Sequence, residues 1–330
     1  MTDPRRRRRK GGDEMSMVPA VEFGSYYGRP VLKPPAWHDD IAYYFFLGGL
    51  SAGSTLLGAG ADLTNRVQLR RGSRIAALAT IAVGSYYLIV DLGRPERFVN
   101  MLRVAKPTSP MSVGTWLIAA YSPGVALAAV SELLPHRVQQ SLVGRVINKV
   151  ARPAGLASAI LAPAVASYTA ALLSQTAVPA WHDAHPELPF IFTGSAAAGS
   201  GGLGMLLAPV SEAGPARALA AYGAVVEVAA SARLESRLGL VGEVYTSGPA
   251  HRELQRARWL TAGGAAVAVT LGQRSRVAAA VAGIALMAGS LYERLGVLHA
   301  GVASTLDPKY VVVPQRERLR ARTATPRPRD

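Results

Sequence analysis

Eight apolar stretches, each near the length that crosses a bilayer, constrain this chain more than any other feature. They run over about 41–61, 75–92, 112–134, 154–176, 189–209, 216–235, 258–273 and 276–293. A helix rises 1.5 Å per residue, so about 20 apolar residues cross the hydrocarbon layer. The pattern predicts an all-α integral membrane protein with about eight transmembrane helices. The composition agrees: half the residues are hydrophobic and only 17% are charged, where soluble domains carry about a quarter. The seventh and eighth runs are short and only Gln273–Arg276 separates them, so a single re-entrant hairpin is the alternative there. Three regions follow: a basic, Pro-rich tail over 1–40, an eight-span membrane domain over 41–293, and a basic tail over 294–330. The run Arg5–Lys10 has no apolar core close behind it, so it is not read as a signal peptide. It is expected to face lipid or a partner.

The charge is distributed unequally. With eight spans both termini share one side, and 25 of the 36 lysines and arginines fall on that side. Cytoplasmic loops carry such an excess, which places both termini in the cytoplasm of a plasma (inner) membrane protein. The same charges account for the net +15. No soluble basic domain with interleaved aromatics is left over to bind nucleic acid.

Several chemistries are excluded. There is no cysteine, so the chain offers no disulfide, Cys-ligated iron–sulfur cluster or thiolate catalyst. The six histidines are His38, His136, His182, His185, His251 and His299, and none falls in the middle of an apolar run. A haem in a helix bundle needs inward-facing axial ligands, so no haem is expected. His182 and His185 lack the further ligands a metal site requires. Gly199-Ser200-Gly201-Gly202-Leu203-Gly204 matches a dinucleotide fingerprint, but it lies inside an apolar run with no strand before it. Close helix packing explains it better. Gly49 and Gly53 read the same way.

Polar groups at the ends of the spans carry the functional signal. Trp37, His38, Asp39, Asp40, Tyr43 and Tyr44 open the first span, Asp91 and Arg94 end the second, and Gln175 and Trp181 follow the fourth. All lie on the terminus-bearing side. Trp37 and Trp181 fit an interfacial aromatic belt. Ionisable groups at the lipid boundary mark a site. A quinone head group needs hydrogen-bond partners and a proton donor at this depth, with its tail left in lipid, and His38 and Asp91 meet that need. Deeper polar residues include Ser54, Tyr168 and Glu227. Glu227 is a lone acid in an apolar run. These three are candidates for a proton relay, with a hydrogen-bonded structural acid as the alternative for Glu227. Asp62 and Glu132, near the opposite span ends, read as helix caps.

Four segments resemble the NrfD/PsrC family, the membrane subunits of polysulfide, thiosulfate, nitrite and formate oxidoreductase complexes. They are WHDDIAYYFFLGGLSAGS (37–54), DLGRPERFVNMLRVAKPTSPMSVGTW (91–116), LLSQTAVPAWHDAHPELPFIFTGSAAAGSG (172–201) and DPKYVVVPQRER (307–318). The resemblance implies eight spans arranged as two four-helix bundles, with no haem or cluster in the chain. It implies electron exchange with a ferredoxin-like iron–sulfur subunit, and menaquinone or ubiquinone bound near that docking face. It assigns the quinone to His38, Asp39, Tyr43 and Asp91, with Arg94 in support. Tyr44 replaces Tyr43 if the register differs by one. Arg97 and Arg103 become partner contacts. The subunit is not catalytic alone. With the charge distribution above, the partner is expected in the cytoplasm, by analogy a molybdenum or tungsten formate dehydrogenase. Two alternatives remain open: a proton-translocating module, and a structural anchor without quinone chemistry.

Overall fold

The computed structural model describes residues 30–324, so the Arg5–Lys10 run lies outside the described residues. Among those residues the only regular structure is helical. In order the helices are α1 (Asp39–Leu63), α2 (Val67–Asp91), α3 (Phe98–Arg103), α4 (Pro110–Leu133), α5 (His136–Gln139), α6 (Leu142–Ser174), α7 (Pro179–Asp183), α8 (Leu188–Leu207), α9 (Gly214–Arg237), α10 (Glu243–Thr246), α11 (Gly248–Thr270), α12 (Arg276–Leu306) and α13 (Lys309–Ala324).

The eight long helices match the eight apolar runs. Six of them, α1, α2, α4, α6, α8 and α12, are long and apolar enough to cross a membrane. The other two are long enough but more charged: α9 holds Arg217, Glu227, Arg233, Glu235 and Arg237, and α11 holds Arg252, Glu253, Arg256 and Arg258. The last two runs form two helices of 23 and 31 residues, packed side by side. The eighth run also extends well past 293, to Leu306. Glu293 and Arg294 resemble a span end in sequence, yet both lie buried inside α12. Arg294 is therefore not a loop charge of the terminus-bearing side.

Local sequence explains the helix ends. Asp39 and Asp40 sit in the first turn of α1, where the helix dipole favours acids. Ser141 and Ser275 cap α6 and α12 through the N–H groups of Gly144 and Ala278, each at 3.2 Å. Helix α1 packs against α2, α6, α8 and α12, and most of it is buried. At its crossing with α8 a Cβ on Gly53 would collide with Ser200 Oγ, so only glycine permits the approach. The Gly199–Gly204 stretch lies within α8, pressed against α9 and α12.

Asp62 and Glu132 are not caps. They join an ion-pair network that ties four helices at the face opposite residue 37. Arg70 and Arg74 approach Glu132 at 2.7 and 2.8 Å, and Arg152 reaches Asp62 at 2.8 Å. Both carboxylates are largely buried, so mutual pairing is what makes their position tolerable.

Candidate functional site

The start of α1 and the end of α2 meet at the same face. Asp91, the last residue of α2, accepts a hydrogen bond from the backbone N–H of His38 at 3.4 Å, and His38 Nδ1 lies 3.8 Å from the same oxygen. The Asp91 carboxylate is 8% exposed, whereas the imidazole is 80% exposed. The acid therefore faces the protein and the histidine faces out.

Asp91 forms one wall of a cleft enclosing about 500 Å³ of empty space, open solvent at its mouth included. Trp37, Ile41 and Tyr44 line it from the start of α1, and Leu88, Asp91 and Leu92 from the end of α2. Met111, Gly114, Thr115 and Ile118 of α4 face Tyr168 and Leu172 of α6 across it, with Met101 of α3 at the side. Apolar walls with a few converging polar groups are the usual make-up of a small-molecule site. Gly114 is required here: a Cβ at that position would run into the Tyr168 ring.

Trp37 also stacks on Trp181, with ring centroids 5.7 Å apart and planes 28° apart. Trp181 is fully buried, donates its indole N–H to the Val297 carbonyl at 2.7 Å, and lies flat against Gly301. The aromatic-belt reading therefore fails for Trp181, since a ring with no exposed surface cannot sit at a lipid interface, while Trp37 stays partly exposed. Trp181 is instead the backing of one cleft wall.

The remaining candidates divide. Tyr44 lines the cleft, whereas Tyr43 lies against the Tyr87 ring at 5.3 Å and does not. Asp39 points elsewhere, to His299 Nε2 at 2.9 Å, while His299 Nδ1 meets Glu253 at 2.7 Å. Arg94, Arg97 and Arg103 are exposed in the segment after α2 and do not line the cleft. His182 and His185 each turn Nδ1 to a backbone carbonyl, of Ser174 and His182 respectively. Among the described residues no three His, Cys, Asp or Glu side chains are grouped to hold a metal.

The three proposed relay residues do not converge. Tyr168 lines the cleft, Ser54 is buried beside the α1–α8 crossing, and Glu227 lines a different cavity between α9, α11 and α12. No hydrogen bond joins any two of them. Glu227 accepts from Thr261 Oγ1 at 3.2 Å through one oxygen, and its other oxygen is buried without a partner. Glu293 and Arg294 are the charged groups acting on it. Sequence reading missed both, because an acid beside an arginine resembles a span end.

Two further charges brace this face. Glu187, at the N-terminus of α8, is buried and receives a two-point contact from Arg237 at 2.8 and 2.7 Å, with Arg233 at 3.5 Å. Burial pushes the Glu187 carboxyl up, but the Arg237 bond and charge, with Arg233 behind, hold it below the ordinary carboxylate value. Glu243 is likewise held down by the Lys309 ammonium at 2.8 Å, which ties α13 to α10.

The family model for polysulphide reductase, NrfD, matches residues 32–218, more than half of the chain. The chain belongs to the NrfD family. It is 29% identical over 172 residues to the C component of polysulfide reductase from Wolinella succinogenes, covering 48% of this chain and 54% of that protein. It is 35% identical over 89 residues to the C component of selenate reductase from Mesobacillus selenatarsenatis, covering 26% of this chain and 20% of that one. The chain thus spans about half the length of the first of these curated relatives and a fifth of the second. The NrfD match contains every wall of the cleft, whereas Glu293 and Arg294 lie beyond its end.

Proposed function

We propose that this chain is the quinone-exchanging membrane subunit of a multisubunit oxidoreductase. One observation carries the reading: Asp91, a shielded carboxylate, faces an apolar cleft at a helix end, opposite Tyr168 and beside Tyr44. A quinone ring fits such walls, and its carbonyls need hydrogen-bond donors and a proton source. Asp91 would hold and pass a proton, with His38 linking it to water. The two tyrosines would orient the ring against Trp37.

The names of the two relatives, components of polysulfide and selenate reductases, support membership of a reductase complex. In this reading the eight long helices all cross the membrane, as two four-helix bundles: α1, α2, α4 and α6, then α8, α9, α11 and α12. A ferredoxin-like iron–sulfur subunit docks over the cleft, where Arg94, Arg97 and Arg103 are exposed. A molybdenum or tungsten catalytic subunit of the formate dehydrogenase type, in the cytoplasm, completes the complex.

In an assembled complex, Asp91→Asn should lower quinone turnover by about a hundredfold or more, the range of a lost proton-transfer group. Dye-linked activity of the catalytic subunit should persist. Normal quinone turnover in that variant would make the chain an anchor instead.

A further inference from the structure

Away from the cleft, the chain buries a second set of charges inside the membrane-embedded part. Glu227 of α9 and Glu293 and Arg294 of α12 are each at most 4% exposed. The 1.5 Å rise per residue puts Glu227 about 15 Å from the end of α9 at Arg237, near mid-depth. Both acids line a small cavity with about 20 Å³ of room for water centres, together with Ser231, Tyr245, Glu235 and Arg258. Glu235 and Arg258 form an ion pair and are partly exposed, so they mark the outer end. Tyr245 is committed elsewhere, donating its hydroxyl to the Ala180 carbonyl at 3.0 Å.

The unmet hydrogen bonds define what belongs there. Glu227 Oε2 is a buried acceptor without a partner. Arg294 does not line the cavity: it donates to the Phe192 carbonyl at 2.7 Å and lies 3.7 Å over the Phe192 ring, with Nε and Nη1 as buried donors without partners beside the two acids. Water can donate to the open Glu227 acceptor, and about 10–15 Å³ of room for its centre holds one molecule. The charges do not balance, however. Two carboxylates face one guanidinium, and the Glu235–Arg258 pair cancels itself. An uncompensated charge at this depth is costly, and one bound proton removes it.

We propose that Glu227, Glu293 and Arg294 form a hydrated proton-binding site, in which the two carboxylates share one proton. It opens through the Glu235–Arg258 mouth to the face that carries residue 37. The two acids titrate as a pair, not singly. The site is separate from the cleft and does not rest on quinone binding.

Two measurements on the complex in membranes, neither needing quinone, test it. Infrared spectroscopy should find a buried protonated-carboxyl stretch that shifts in deuterium oxide. Thr261→Val should move that band, and Glu227→Gln or Glu293→Gln should abolish it. A wild type without the band, or a band untouched by both glutamine variants, would overturn the site. Access is tested without altering a charge. The chain has no cysteine, so Ser231→Cys gives it one thiol, on the cavity wall, and labelling is read on this chain after the subunits are separated. A small water-soluble methanethiosulfonate should label it from the residue-37 face, while a buried Ser54→Cys control stays unlabelled. Failure to label Ser231→Cys, or labelling only from the opposite face, would overturn the proposed opening.

Discussion

At the scale of single residues, the cleft depends on one absence. Gly114 belongs to the distinctive segment 91–116, and its missing Cβ is where the Tyr168 ring lies. Gly114→Ala should therefore push Tyr168 into the cleft instead of unfolding α4, since alanine is the better helix former. Inserting a methyl into a packed site costs about 1–3 kcal/mol. That corresponds to about tenfold or more in quinone affinity. The expected result is a raised KM for quinone with a modestly lowered melting temperature, read from steady-state kinetics and a melting curve; an unchanged KM would remove Tyr168 from the site. Legibility at this scale follows from chemistry. Asp91 was visible because an acid at a lipid boundary is expensive. Trp181 was misread because tryptophan at a span end has a common interfacial role, and only burial separates that role from backing a wall. Glu293 and Arg294 were hidden because adjacent opposite charges look like the edge of a span.

At the scale of elements, charge pairs fasten the short segments to the long helices. Glu187 holds the start of α8 to the end of α9 through Arg237. Its carboxyl lies below the ordinary value in the fold, so the contribution is fully present above the carboxylate's unfolded pKa. It is lost as pH falls through the depressed folded value. Arg237 is 37% exposed, so Glu187→Gln should cost about 1–2 kcal/mol, less than the roughly 3–5 kcal/mol of a fully buried pair. In detergent, the melting-temperature difference between wild type and Glu187→Gln should be constant near neutrality and shrink in acid. A difference that grows in acid would reverse the sign and exclude the pair as its source. The elements themselves were largely legible: all eight apolar runs became helices, because lipid leaves the backbone few alternatives. Their ends were less so. Apolar length does not register that α11 continues back to Gly248 through its charged residues or that α12 continues to Leu306.

At the scale of the molecule, the two faces differ in how they use charge. On one, Asp62 and Glu132 are paired with Arg70, Arg74 and Arg152 in an internal network that keeps a single net positive charge. On the other, the cleft, the mouth at Glu235–Arg258 and the exposed Arg94, Arg97 and Arg103 lie on the side of both ends of the described chain. Lysines and arginines near the span ends are retained on the cytoplasmic side. The bias toward the terminus-bearing face survives the loss of Arg294 from its count, since 24 of the remaining 35 lysines and arginines stay on that side. This asymmetry predicts the orientation directly. With no native cysteine, Glu96→Cys on the face that carries the cleft and Leu142→Cys, exposed at the start of α6 on the opposite one, report it cleanly. An impermeant thiol reagent applied to intact cells should modify Leu142→Cys and leave Glu96→Cys untouched until the membrane is opened. The reverse pattern would put the cleft outside the cytoplasm and require a catalytic partner there.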